Sequence, residues 1–181
     1  METFEEKFQV VIKGISPLLH HQYNMEKTTK GLSKSGISYD PKEEAEKVLY
    51  TDESDNPVQP ANHIEGAMVK EATNFKIPGQ GKKTFKDAFK AGIFIDPVLI
   101  PHKFPKWVID NQTVVVVRAR IVRSRPRFDK WELEFIINNI DERITPEILK
   151  MVLEGAGRFK GIGDYRPKYG RFDVIKFEKV V

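Results

Sequence analysis

Apolar and polar residues alternate in some stretches of this chain and recur at helical spacing in others. In FQVVIKGIS, Phe8, Val10 and Ile12 alternate with Gln9, Val11 and Lys13, which predicts a first strand ended by Ser16-Pro17. In NHIEGAMVKEATNFK, the residues Ile64, Ala67, Met68, Ala72 and Phe75 share one helical face, and Asn62 is a good N-cap. Thr84–Lys90 reads as a short helical turn, and GIFIDPVLIP as an extended segment interrupted by Asp96-Pro97. Thr145-Pro146-Glu147 opens a further helix with Ile148, Leu149, Val152 and Leu153 inward. RFDVIKFEKVV is a final strand.

Between them, TVVVVRARIVRSRPRFDKWELEFIIN predicts a hairpin around a basic turn. Pairing Val117 with Ile137, Ala119 with Phe135 and Ile121 with Leu133 puts all six on one face. The same register sets Arg120 opposite Glu134, with Arg118 and Glu132 on that second face, a structural role for both arginines. Residues 22–60 are polar and read as an insertion, expected to be partly mobile. Within it Asp40-Pro41-Lys42-Glu43 predicts a capped helix over 41–50, and TDESDNP a turn.

The element order is strand, helix, strand, strand, helix, strand. That predicts an α+β fold, a ferredoxin-like or RRM-like βαββαβ core with large insertions. One domain over 1–181 is expected, with its core in 4–21, 61–76 and 92–181. Zero cysteines exclude disulfides and cysteine-based zinc sites. The acidic start METFEEKF lacks a signal-peptide pattern and no apolar run is long enough to span a bilayer, so a cytoplasmic protein without membrane association is expected.

Charge changes the picture at one place. The net charge is +4 over 181 residues, and GAGRFKGIGDYRPKYGRF at 155–172 alone carries +4, with five glycines. Gly155 or Gly157 could be the left-handed cap of the preceding helix. Gly161, Gly163 and Gly170 allow positive φ and a close approach of backbone to ligand. Their exposed amides, with Arg158, Lys160, Arg166, Lys168 and Arg171, would hold phosphates, while Phe159, Tyr165 and Tyr169 would stack on bases. The alternative is a solvated loop whose charges face water; the density of cations favours phosphate contact. A P-loop is excluded, since GxxxxGK[ST] is absent.

A second cluster, Arg123, Arg125 and Arg127, is read either as an extension of that track or as charge that keeps an exposed turn from pairing. The histidines lack HxH, HxxxH and HExxH spacings, so no metal is expected, nor any cofactor. His20 and His21 follow the first strand, where either could serve as a general base. WELEFIIN does not match the aromatic pattern of a stacking-sheet RNA-recognition motif, so loops would hold the strand.

Three pieces carry a family resemblance: VIKGISPLLHH, VQPANHIEGAMVKEA with Pro60, Ile64, Gly66 and Ala67, and GIGDYRPKYGRFDV with Gly161, Gly163, Arg166, Gly170 and Arg171. The chain resembles the RAMP superfamily, the repeat-associated RNA-binding proteins of CRISPR systems, and most of all its crRNA-backbone subunits, or a relative outside a CRISPR complex. The resemblance covers the core but not 22–60 or 77–112. Glu65 and Val69 depart from the family, which commonly places Lys and Arg there. The resemblance implies a role in antiviral defence, sequence-independent RNA binding and polymerisation along the strand. Some members cleave RNA with a histidine after the first strand or an Asp in the insertion loop.

The leading expectation is a non-enzymatic binder of single-stranded RNA or DNA that forms homo-oligomers or joins other subunits of a ribonucleoprotein. A metal-independent RNA endonuclease using His20 or His21 is one alternative. A scaffold subunit binding an acidic protein is the other.

Overall fold

A computed structural model describes residues 4–23, 40–116 and 119–180. Four strands form its central antiparallel sheet: β1 (Glu6–Gly14), β4 (Ile93–Asp96), β8 (Glu132–Asn139) and β9 (Phe172–Val180), in the order β4-β8-β1-β9. The period of two in β1 buries Phe8, Val10 and Ile12 on one face. Leu133, Phe135 and Ile137 join them from β8, paired with Ile12, Val10 and Phe8. Helices α2 (Ala61–Ala72) and α4 (Pro146–Gly155) complete the core with Ile64, Ala67, Met68, Leu149, Val152 and Leu153. Each large side chain so buried stabilises the fold by about 1.5–3 kcal/mol.

The helix starts follow local chemistry. Thr145 caps α4 through its hydroxyl, and Pro146 opens the first turn. Asn62, by contrast, is not the cap of α2. Pro60 holds that position, extended at the end of β3 (Val58–Pro60), and Asn62 lies inside the first turn. The Ala61 amide donates to the Val98 carbonyl at 2.9 Å, so a neighbouring loop takes over the work of a capping side chain.

The predicted hairpin is wrong in its partners. β6 (Val108–Val116) pairs with β7 (Ala119–Phe128), and β7 does not touch β8 across a ladder. Glu132 and Glu134 therefore stand opposite Lys13 and Val11, while Arg120 faces Val115. Arg118 and Val117 lie outside the described residues. The physical reason is burial. As a central strand β8 packs its apolar set between β1 and β4, whereas hairpin pairing with β7 alone would leave it an edge.

A second sheet, β2-β7-β6, begins with β2 (Leu18–Leu19). It packs against α1 (Pro41–Glu46), capped by Asp40 and shorter than the predicted 41–50. The expected insertion 22–60 is packed where described: Ala45, Val48, Leu49 and Val58 are buried. Residues 24–39 lie outside the described residues. α3 (Lys86–Gly92) and β5 (Leu99–Pro101), which pairs with β3, complete the described elements up to the C-terminal stretch. Among the described residues, no helix is long and apolar enough to cross a membrane.

Candidate nucleic-acid interface

The glycine-rich stretch begins as helix. α4 does not stop at Gly155, which keeps a helical φ of −63°. The chain continues through a π turn, Ala156–Lys160, and ends at Gly161, which caps it through an amide hydrogen bond to the Ala156 carbonyl (2.9 Å) and turns away at a φ of 67° with an extended ψ of 174°. Gly155 and Gly157 serve another need. A Cβ at Gly157 would stand 2.3 Å from the Phe172 carbonyl oxygen, so the residue must be small for the turn to lie against β9.

The expected row of bare amides is absent at most positions. Ile162 N–H donates to Gly170 O, Gly170 N–H to Pro17 O, Asp164 N–H to Leu19 O, and Arg171 N–H to Ser16 Oγ, at 2.7–3.0 Å. Tyr169 N–H donates to Tyr165 O at 3.2 Å. The loop is thus docked on the β1–β2 connection. Gly170, at φ 72°, allows this: a Cβ there would lie 1.7 Å from the Ile162 carbonyl oxygen. Gly163 also has positive φ, and Gly161 and Gly170 are buried. Phosphate contact in this loop therefore falls to side chains.

Of those side chains, Lys160 and Arg166 reach an open cleft of about 460 Å³, lined by Lys70, Phe159, Lys160, Asp164, Tyr165, Arg166 and Pro167. Arg158, Arg166 and Lys168 are exposed, and none makes an ion pair among the described residues. Lys160 is tethered 3.3 Å from buried Glu71, and Arg171 Nε donates to Arg158 O at 2.9 Å. Phe159 is 62% exposed and presents its ring to the cleft. Tyr165 packs against Tyr169 and under the Arg125 guanidinium, 4.8 Å from its ring centre. Lys70 reaches the cleft from the last turn of α2, one position after the departure at Val69.

Arg123, Arg125 and Arg127 are not at a hairpin turn. They alternate along β7 and so share one face, where each meets an acid. Arg123 pairs with Glu44 of α1 at 2.7 Å, Arg125 with Asp164 at 2.8 Å, and Arg127 with Asp110 and Asp129 at 2.8 and 2.7 Å. The lone acid of the glycine loop is therefore a junction. His21 Nδ1 lies 3.2 Å from the same carboxylate oxygen as Arg125. The His21 hydrogen bond, against opposing burial and with help from Arg125, holds Asp164 below the usual carboxylate range. Sequence reasoning missed Asp164; its one signal was a single acid among five bases.

The two histidines after β1 part company. His20 is wholly buried among Tyr50, His102 and Phe128, with ring centres 4.7–5.3 Å away. Burial, then His102 and His63, pushes its pKa well down, and burial lowers that of His102 to about 4. His63, bonded to Gln59 at 2.7 Å, is lowered by burial and by Arg166. His21 is exposed beside the cleft. Among the described residues no group of His, Asp or Glu is placed to hold a metal ion.

No family model and no curated protein matches the sequence. Solved structures do match. One is a chain of the Type III-B Cmr-beta complex, determined by cryo-electron microscopy bound to cognate target RNA. It is 16% identical with a TM-score of 0.54, over 97% of this chain and 61% of that one. At this identity the likeness is one of fold. The chain spans about three fifths of the length of the Cmr-beta chain it matches. Cmr6 from Pyrococcus furiosus is also similar, 12% identical with a TM-score of 0.48, over 94% of this chain and 98% of that one.

Proposed function

We propose that this protein binds single-stranded RNA by its backbone, as a subunit of a ribonucleoprotein complex. The observation that carries the reading is the exposed, unpaired set Arg158, Arg166 and Lys168 in one stretch, with Arg166 and the exposed Phe159 lining its cleft. Cations left unpaired beside an exposed ring suit a phosphate chain with bases stacked at its side. Arg171 and Lys70 extend the set, and Lys160 sits within reach from its tether. Arg125 has a positioning role, because it holds Asp164 and Tyr165 in place. The strand order β4-β8-β1-β9 with helices on one face supports reading the core as ferredoxin-like. The Cmr-beta complex, described as bound to target RNA, supports the RNA assignment and a place in antiviral defence. Polymerisation along the strand is the finer part of the proposal; sedimentation with and without RNA tests it.

Titration of a labelled single strand against the purified protein tests the binding itself. Affinity that weakens linearly with log salt is expected; absence of binding at low salt overturns the reading. The same titration with DNA sets the preference between the two.

The pair of His21 and Asp164 favours a second reading, RNA cleavage. The carboxylate would keep the proton on Nδ1 and leave Nε2 as base for the 2′-hydroxyl. Attack of the 2′-oxygen on the adjacent phosphorus would break the P–O5′ bond and yield a 2′,3′-cyclic phosphate, the leaving 5′-oxygen taking its proton from water or from the imidazolium just formed. In this reading His21→Ala lowers the cleavage rate by about 100-fold or more with binding unchanged. A hairpin RNA panel that stays intact with the unaltered protein removes it.

A further inference from the structure

We propose a second contact surface for the nucleic-acid strand, formed by Phe104, Lys103, Lys106 and Lys130. The inference rests on the RNA-binding reading above and extends the path of the strand across one end of the central sheet. The segment joining β5 to β6 brings Phe104 there, fixed by the Lys103 amide donating to the Glu132 carbonyl at 3.2 Å. Two ammonium groups stand over its ring, Lys130 at 4.3 Å and Lys103 at 5.8 Å from the centre. Lys103 also pairs with Glu132. Lys106 and Lys130 are exposed and have no carboxylate partner among the described residues.

An exposed cation over a phenyl ring adds little to the stability of a fold. Two lysines over one partly exposed ring, with exposed Lys106 two positions on in the chain, are more than local stability requires. The arrangement suits a base laid on the ring and phosphates held by the surrounding ammoniums.

Position strengthens the case. The end of β1 lies between the glycine stretch and this cluster. Ile15 N–H donates to Arg171 O at 2.9 Å on one side, and Gly14 N–H to Trp131 O at 3.0 Å on the other. Trp131 Nε1 also donates to Ser16 O at 2.8 Å. Arg171 and Trp131 thus flank the same three residues, about two strand spacings or 10 Å apart. Lys130 adjoins Trp131 in sequence. At about 3.4 Å per stacked nucleotide, roughly three nucleotides cover the gap from Arg171 to Trp131. Between them Ile15 is 51% exposed.

The test compares oligouridylate probes of about 5 and about 12 nucleotides, lengths chosen to fill one surface or both. The variant Phe104→Ala/Lys130→Ala is expected to weaken binding of the long probe by about tenfold and leave the short probe unchanged. Lys130→Ala alone, which keeps the ring, should lower the salt slope on the long probe by about 0.7. Unchanged long-probe binding in both variants overturns the proposal. So does an equal loss on both probes with a lowered melting temperature, which marks a purely structural role. A separate control, Arg158→Ala/Arg166→Ala/Lys168→Ala, must weaken both probes. If it weakens neither, the RNA-binding reading fails and this one with it.

Discussion

Two stretches of the chain carry arginine at high density, and the fold treats them in opposite ways. Along β7, Arg123, Arg125 and Arg127 each face a carboxylate, from Glu44, Asp164 and Asp110. In the glycine stretch, Arg158, Arg166 and Lys168 are exposed and without an ionic partner among the described residues, and Arg166 lines the cleft. A strand imposes a period of two, so its arginines line up on one face and can be met by acids from the elements packed there. A loop turned by glycines has no such face. Charge counted along a sequence is therefore not charge available to a ligand; what matters is which carboxylates the fold brings opposite.

The comparison can be strained first at its base. His20 and His102 pack against Phe128 at the end of β7. Both are held neutral by burial, and His102 titrates at about 4 in the fold. The unfolded chain takes up its proton first as pH falls, so the stability this group contributes is full above about pH 6.5 and lost between there and about pH 4. For His102 alone the loss is about 3 kcal/mol, and His20 acts in the same direction. Denaturant midpoints measured across that window should fall steadily toward acid. A flat profile would mean that the cluster is open to water.

Arg125→Ala probes the paired arginines directly. Its side chain is 8% exposed against 32% for Asp164. Removing it leaves a half-buried carboxylate without its cation, at a cost of about 2 kcal/mol, below the 3–5 of a fully buried pair. Urea unfolding measures the loss. An unaltered midpoint would show that the β7 charges are as free as those of the loop, and the contrast would collapse.

Much of this was legible in the sequence. The alternation of Phe8, Val10 and Ile12 and the Thr145-Pro146 helix start each follow from local rules and stand in the structure. Strand pairing does not follow from local rules. Ala119, Ile121, Leu133, Phe135 and Ile137 offered a consistent hairpin, but β8 gains more between β1 and β4 than beside β7. The same misplacement put the β7 arginines on a turn and hid their acids, since Glu44 and Asp164 lie 79 and 39 positions from Arg123 and Arg125. In the loop, composition pointed to the cations; the amides were misjudged because their acceptors, Pro17 and Leu19, sit far away in the chain. Asp164 passed unnoticed for the same reason.

The central claim is that the loop's unpaired cations are for binding and the β7 cations for folding. It is tested most directly by Arg158→Ala/Arg166→Ala/Lys168→Ala, in which stability and single-stranded RNA affinity are measured on one preparation over a salt series. The account predicts a change in unfolding free energy below about 0.5 kcal/mol, since all three side chains are exposed and unpaired. It predicts an affinity loss of about 30- to 100-fold at low salt, and a salt slope shallower by about 2. An unchanged affinity and slope, or a stability loss as large as that of Arg125→Ala, would contradict it.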